Sequence, residues 1–206
     1  MPVIDLSHPI DNQTLLFPGT PPNQINIIAD FAEQGFRESQ WLLSAHTATH
    51  IDTPSHILRS GFTLDDYEAD QFIGKGKVIP FNEERLRQFI GRNSADSLDF
   101  LLLHSGWDKR WGRDDYFREY PLLTENLASQ IATLGLKGIG IDAPSFDNPD
   151  SATLPVHHLL LGSGLILIEN LHNLQAIMNQ SFTFIALPLK IVGAEASPVR
   201  AVALIG

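Results

Sequence analysis

Apolar residues along this chain gather in short runs of strand length separated by turn residues, and the later part adds stretches that read as helix. Val3 to Ser7 predicts a first strand, followed by a proline-containing loop through Phe17-Pro18-Gly19-Thr20-Pro21-Pro22. Asn26 to Asp30 and Glu38 to Ala45 carry β-like alternation that fits a hairpin or meander, with Trp41 read as sheet core. Lys77 to Phe81, Phe100 to Leu103, Gly138 to Asp142 and Leu165 to Ile168 predict further strands, as do Phe182 to Leu187 and Val199 to Ile205. Gly74-Lys75-Gly76-Lys77 is too short for a phosphate loop and reads as a turn.

Three helices punctuate this pattern. The first runs from Asn82 to Ile90, with Asn82 as N-cap and Glu83 and Glu84 in the first turn, where the helix dipole favours negative charge. Arg85 stands where a capping box needs Glu or Gln, so the reciprocal bond is missing. Thr124 to Leu134 is capped by Thr124 and ended by Gly135, and Leu154 to Leu161 is a short third helix. A mostly β first half and an alternating second half predict an α/β domain with a mixed sheet, curled toward a barrel. No linker, repeat or low-complexity tract divides the chain, so residues 1–206 read as one domain.

Composition narrows the chemistry. Hydrophobic residues at 43% and charged residues at 18% describe a globular chain, and the formal net charge of -10 speaks against a nucleic-acid surface. Cysteine is absent, so any metal must be held by His, Asp, Glu or water. No apolar run approaches membrane-spanning length, and Met1-Pro2-Val3-Ile4-Asp5 lacks the basic start and apolar run of a signal peptide; a cytoplasmic location is the expectation.

One segment concentrates the candidate chemistry: His46-Thr47-Ala48-Thr49-His50-Ile51-Asp52-Thr53-Pro54-Ser55-His56, or H-x-x-x-H-x-D-x-x-x-H. Imidazole nitrogen and carboxylate oxygen are the usual ligands of Zn²⁺ and Mn²⁺. His46 and His50 are spaced for a helical turn, whereas His50 and Asp52 share one side of an extended segment. No regular element satisfies both, and Pro54 discourages helix at Thr53. The expectation is a strand ending near His46, then an irregular turn folding the donors inward, with Thr47 and Thr49 bonding locally. A solvated His/Thr-rich loop is the bland alternative, weakened by the density of donors. Glu169 follows the apolar run Leu165 to Ile168, and a buried carboxylate is costly unless it meets a cation or donors. His157 and His158 lie on the third helix, and spacing alone does not choose between them.

These residues resemble the cyclase-like metal-dependent hydrolases, a family that includes bacterial kynurenine formamidase and isatin hydrolase. The family motif H-x-G-T-H-x-D-x-P-x-H aligns with His46 to His56, with Ala48 where glycine is usual. Similarity extends from Ile4-Asp5-Leu6-Ser7-His8-Pro9-Ile10 and Phe17-Pro18-Gly19 through Gly140 to Ser145 and Ile168-Glu169-Asn170-Leu171. It continues in Leu187 to Lys190 and closes with Gly193 to Ala201.

The resemblance implies a small mixed β-barrel with flanking helices, a dimer or higher homo-oligomer such as a tetramer, and a small-molecule substrate. It implies that His46, His50 and Asp52 ligate metal and that His56 is the catalytic acid/base. A later His and Glu pair of the formamidase branch is spaced like His157 and Glu169 (169 − 157 = 12), which selects His157. That branch resembles two-zinc enzymes, with Asp52 or Glu169 as bridging carboxylates, and other branches resemble single-Mn²⁺ enzymes. Phe17 stands where an aromatic residue packs on an aryl substrate, and equally reads as a cover for the core.

The activity expected is arylformamidase-like hydrolysis of a small N-acyl or cyclic amide, as in tryptophan catabolism. The alternatives are isatin-type lactam opening, polyketide-type cyclisation or dehydration, and a metal-binding protein without turnover. Of the remaining polar residues, His8 reads as a loop or site-facing group and His104 as a pocket candidate. Asp142 reads as a turn cap or an orienting partner for a ligand histidine, and Asp65, Asp66, Glu68 and Asp70 as a solvated face. Trp107-Asp108-Lys109-Arg110-Trp111 reads as a surface or subunit contact.

Overall fold

The centre of the molecule is a ladder of four parallel strands: β5 (Ile73–Pro80), β6 (Phe100–His104), β7 (Gly138–Ile141) and β8 (Ile166–Glu169). The computed structural model describes residues 1–92 and 98–206. Antiparallel strands flank the ladder. β9 (Phe182–Ile185), β11 (Val202–Ile205) and β1 (Val3–Asp5) follow beyond β5, and β4 (His50–Asp52) and β10 (Ala196–Pro198) beyond β8. The result is one mixed nine-stranded sheet in the order β1-β11-β9-β5-β6-β7-β8-β4-β10.

Parallel strands covered on both faces read as unbroken apolar runs, and β6 to β8 do. Leu101, Leu103, Ile139, Ile141 and Leu167 pack on one face against α1 (Glu83–Gly91), α2 (Glu125–Ile131) and α3 (Pro155–Gly162). Phe100, Leu102, Ile166 and Ile168 point the other way and meet Leu6, Phe182 and Phe184 inside the curl of the sheet. Backbone bonds draw the edges around that inner core. Leu6 N donates to Ala201 O at 2.9 Å, His172 N donates to Leu6 O at 2.8 Å, and Val199 bridges Pro188. This is the α/β half-barrel with flanking helices that the sequence led us to expect.

The helix starts follow their caps. Asn82 accepts from Arg85 N at 3.2 Å with no reciprocal bond, and Thr124 accepts from Leu127 N at 3.3 Å. α3 is different: Leu154 at its start has φ 44 and no side-chain cap, and Asp147 accepts from Val156 N and His157 N instead.

Several local expectations need correction. Gly74 to Lys77 is not a turn but the first part of β5, where a Cβ on Gly76 would strike the Phe182 ring. β10 went unread because Ala-Ser-Pro has no strand alternation; it sits at the sheet edge, where proline costs no ladder bond. Trp41 is not core. β2 (Gln24–Ala29) and β3 (Glu38–Leu42) form a separate two-stranded sheet, and Trp41 is 66% exposed on it.

The close strand packing generates a test. A Cβ on Gly138 would lie 2.8 Å from Ile166 O and 2.7 Å from Ile166 Cγ1. Gly138→Ala is expected to cost about 1–3 kcal/mol, measured by urea denaturation.

Candidate metal and catalytic centre

The ends of β4 and β8 carry the candidate residues to one place. Antiparallel pairing sets His50 opposite Glu169 and Asp52 opposite Leu167. In a strand, residues two apart share a face, so His50 and Asp52 project together. β3 stops at Leu42, an irregular turn holds His46 to Thr49, and a 3₁₀ turn at Pro54–His56 brings the last histidine back. The expected irregular turn is present and leads into the short strand β4, but the strand before it ends at Leu42, short of His46.

The donors converge closely. His46 Nδ1 lies 2.8 Å from Asp52 Oδ1, and His50 Nε2 lies 3.5 Å from the same oxygen and 3.6 Å from Glu169 Oε2. His157 Nε2 approaches Glu169 Oε1 at 3.3 Å and Asp52 Oδ2 at 3.9 Å. Among the described residues two sets of donors could hold an ion, His50–Asp52–Glu169 and His46–Asp52–His56, joined at Asp52. His50 Nε2, both Asp52 oxygens and Glu169 Oε1 are buried without a hydrogen-bond partner. Buried carboxylates cost several kcal/mol unless a charge meets them; here the facing charges are the His46 and His157 imidazoles, and a divalent cation would take the place of their protons. The residues therefore fit a metal.

Hydrogen bonds on the far sides of two rings fix their tautomers. His50 Nδ1–H donates to Ala48 O at 2.9 Å, and His157 Nδ1–H donates to Asp147 Oδ2 at 2.8 Å. In the neutral ring each leaves Nε2 with its lone pair directed into the cluster, as a ligand requires. His157 is buried and His158 exposed, because adjacent helix positions face different ways. Ala48 is left-handed at φ 53, a conformation that costs a non-glycine residue about 1–2 kcal/mol, so the departure from glycine falls on a position where it matters.

The charges order the protons. Burial alone would lower the His46 imidazole, but the Asp52 carboxylate outweighs it and lifts the group to about 9. Burial likewise opposes His157, and its bond to Asp147 together with the nearby Glu169 carboxylate lifts it to about 10. Burial would raise Asp52, yet His50 and His46 hold it well below the usual carboxylate range. His56 moves the other way, lowered chiefly by burial and further by the nearby His46 and His157. It is neutral at pH 7, and its ring lies 4.4 Å from that of His46.

A cavity of about 350 Å³ opens above these groups, lined by His46, His50, His56, His157 and Glu169 on its floor. Phe17 also lines it and meets Phe117 edge-to-face at 5.6 Å. His104 does not line this cavity. Its Nδ1–H donates to Asp142, which also accepts from Ser105 N and Gly106 N, so Asp142 caps the turn after β6 and orients no candidate ligand. That orienting role falls to Asp147, which the sequence reading missed; Asp147 followed by His at ten residues is no recognisable pattern. His8 is buried against the half-buried Trp111, with rings stacked at 4.0 Å, while Lys109 and Arg110 stand exposed beside it. Asp108 is buried too, accepting from His172 Nδ1 and Asn173 N.

A family model described as "Putative cyclase" matches residues 4–148. The chain belongs to the cyclase-like metal-dependent hydrolase family. Among its relatives, a kynurenine formamidase of Salinibacter ruber is 34% identical over 209 residues, covering 98% of this chain and 97% of the relative. A kynurenine formamidase of Bacillus cereus is 31% identical, covering 97% and 95%. The fold of this cyclase-family chain matches an isatin hydrolase bound to the product analogue thioisatinate, with TM-score 0.85, 23% identity and coverage of 98% and 92%. It also matches a structure described as a potential metal-dependent hydrolase with cyclase activity, with TM-score 0.80, 24% identity and coverage of 98% and 96%.

The raised imidazoles set a pH test. Groups with folded values of about 9 and 10, against 6.5 for the free side chain, stabilise the metal-free protein fully below pH 6.5 and lose that contribution as pH rises through 9 to 10. A cation must displace the same protons. The melting temperature of metal-free protein is expected to fall from pH 7 to pH 10 while the increment produced by zinc grows. An increment that shrinks with pH contradicts the assignment.

Proposed function

We propose that the protein is a metal-dependent amidohydrolase of small N-acyl aryl amides, kynurenine-formamidase-like, with His46, His50, Asp52, His157 and Glu169 holding one or two divalent ions. The observation that carries this reading is the set of four buried, unpartnered ligand atoms on His50, Asp52 and Glu169 at the floor of an open cavity. The three histidines and two carboxylates of this set suit Zn²⁺ first and Mn²⁺ second. A bound ion polarises the substrate carbonyl and lowers the pKa of water toward neutrality.

The chain's own residues supply the rest. His56 is neutral, faces the cavity and has no side-chain hydrogen bond among the described residues, so its nitrogens are free to exchange protons. It takes a proton as water adds to the acyl carbon and returns it to the leaving nitrogen as the C–N bond breaks. His50 and His157, with Nδ1–H anchored, are suited to holding and not to relaying. Phe17 and Phe117 offer apolar ring edges to an aryl group, and the cavity volume suits a substrate of that size. The full-length relatives at 31% and 34% identity favour a formamide over a lactam.

The same reading includes a homo-oligomer, dimer or tetramer. Ile27, Ile28, Phe31, Phe36, Trp41 and Leu42 are each more than half exposed on or beside the β2–β3 hairpin. Three are aromatic, and because strand neighbours alternate, Ile27 with Trp41 and Ile28 with Leu42 leave apolar side chains exposed on both faces of the hairpin, a surface of the kind that marks interaction sites. A second copy would cover it.

Two outcomes test these statements. His56→Ala is expected to bind zinc as the unaltered protein does and to hydrolyse N-formylkynurenine about 10²–10⁴-fold more slowly; full activity rules His56 out. Light scattering is expected to find a dimer or larger species that the double substitution Ile27→Arg and Trp41→Arg reduces to monomers. A monomeric unaltered protein overturns the oligomer.

A further inference from the structure

Behind the candidate ligands, a buried chain of hydrogen bonds ends on His50. Tyr116 is fully buried, and its Oη–H donates to Asn170 Oδ1 at 2.9 Å. Asn170 Nδ2 donates to Ala48 O at 3.0 Å, and the same carbonyl accepts His50 Nδ1–H at 2.9 Å. The direction of the chain is fixed by chemistry: a carbonyl only accepts, so the Asn170 amide nitrogen must face Ala48 and its oxygen must face the phenol. The Asn170 backbone is held as well. Its N–H donates to Ala143 O at 3.0 Å, and its carbonyl accepts from Thr49 Oγ1 at 2.6 Å.

Two backbone conformations make this brace consequential. Ala48 and Asn170 both sit in the left-handed region, at φ 53 and φ 55, and each lies within two residues of a candidate ligand. Asn170 follows Glu169, and Ala48 lies two residues before His50. Asparagine tolerates such a φ, whereas alanine is strained there. Both hydrogen bonds to Ala48 O therefore restrain a peptide unit that would relax if released. Loss of the Asn170 bond would let the carbonyl turn and free His50 Nδ1–H, and with it the tautomer that leaves Nε2 for a ligand.

We infer that Tyr116 and Asn170 are positioning residues that lock the Ala48 carbonyl and thereby set the tautomer and direction of His50. The inference rests on the reading of His50 as a metal ligand, but its central element, the His50 tautomer, exists without metal.

The experiment uses full-length protein and two variants. Asn170→Gly deletes the side chain while keeping the positive φ free of strain, and Tyr116→Phe removes one hydroxyl from a conserved ring volume. Zinc affinity, measured by competition with a chromophoric chelator, is expected to fall about 10–100-fold in Asn170→Gly and about tenfold in Tyr116→Phe. The double variant is expected to bind no more weakly than Asn170→Gly alone, because the phenol acts only through the amide. Proton–nitrogen correlation spectra of the histidines in metal-free protein are expected to show His50 as the Nδ1–H form, and as a mixture of tautomers in Asn170→Gly. If Tyr116→Phe and Asn170→Gly lose thermal stability but keep unaltered zinc affinity and an unaltered His50 spectrum, the brace is structural only and the inference falls. If the parent protein binds no zinc, the metal reading fails, and the spectra still decide the brace.

Discussion

The constraint on which the rest depends is the pairing of β4 with β8, which buries His50 and Asp52 beside Glu169. Two buried carboxylates side by side are an expensive thing to fold around. The molecule accepts that cost locally and offsets it with the packed layers on both faces of β6 to β8. A site built on strand ends is also stiff. Side chains that alternate by fixed geometry cannot drift apart without breaking the ladder, so the donors are held at a separation a cation can span.

Within that frame, the histidines divide by what their outer nitrogens touch. Anchoring at Ala48 O and Asp147 fixes the outer nitrogens of His50 and His157, while neighbouring carboxylates lift His46 and His157. His56 has no such anchor, and burial outweighs the nearby carboxylates and keeps it neutral. A single short motif thus yields groups suited to holding charge and one suited to passing a proton. This division is environmental: the four imidazoles are chemically identical, and their surroundings set them apart.

Much of this was legible in the sequence, unevenly. The apolar runs of β6, β7 and β8 announced themselves because both faces are buried, and Asn82 and Thr124 marked helix starts by local chemistry. The His46-to-His56 segment was legible because its donors lie within one turn and one strand. Residues acting over long separations were not. Asp147 serves α3 and His157, and Tyr116 reaches Asn170 across 54 positions, through contacts that only the closed fold creates. Trp41 misled because alternation reports an amphipathic strand but not which body covers its apolar face. Gly74 to Lys77 misled because glycines in a crowded strand look like glycines in a turn until the facing Phe182 ring is known.

The most direct measurement of the central claim is the rate of N-formylkynurenine hydrolysis as zinc is titrated into metal-free protein. The account predicts negligible turnover at the start and a rise that saturates at one or two equivalents. Stoichiometric zinc binding with no hydrolysis, or hydrolysis that is undiminished in metal-free protein, would contradict it.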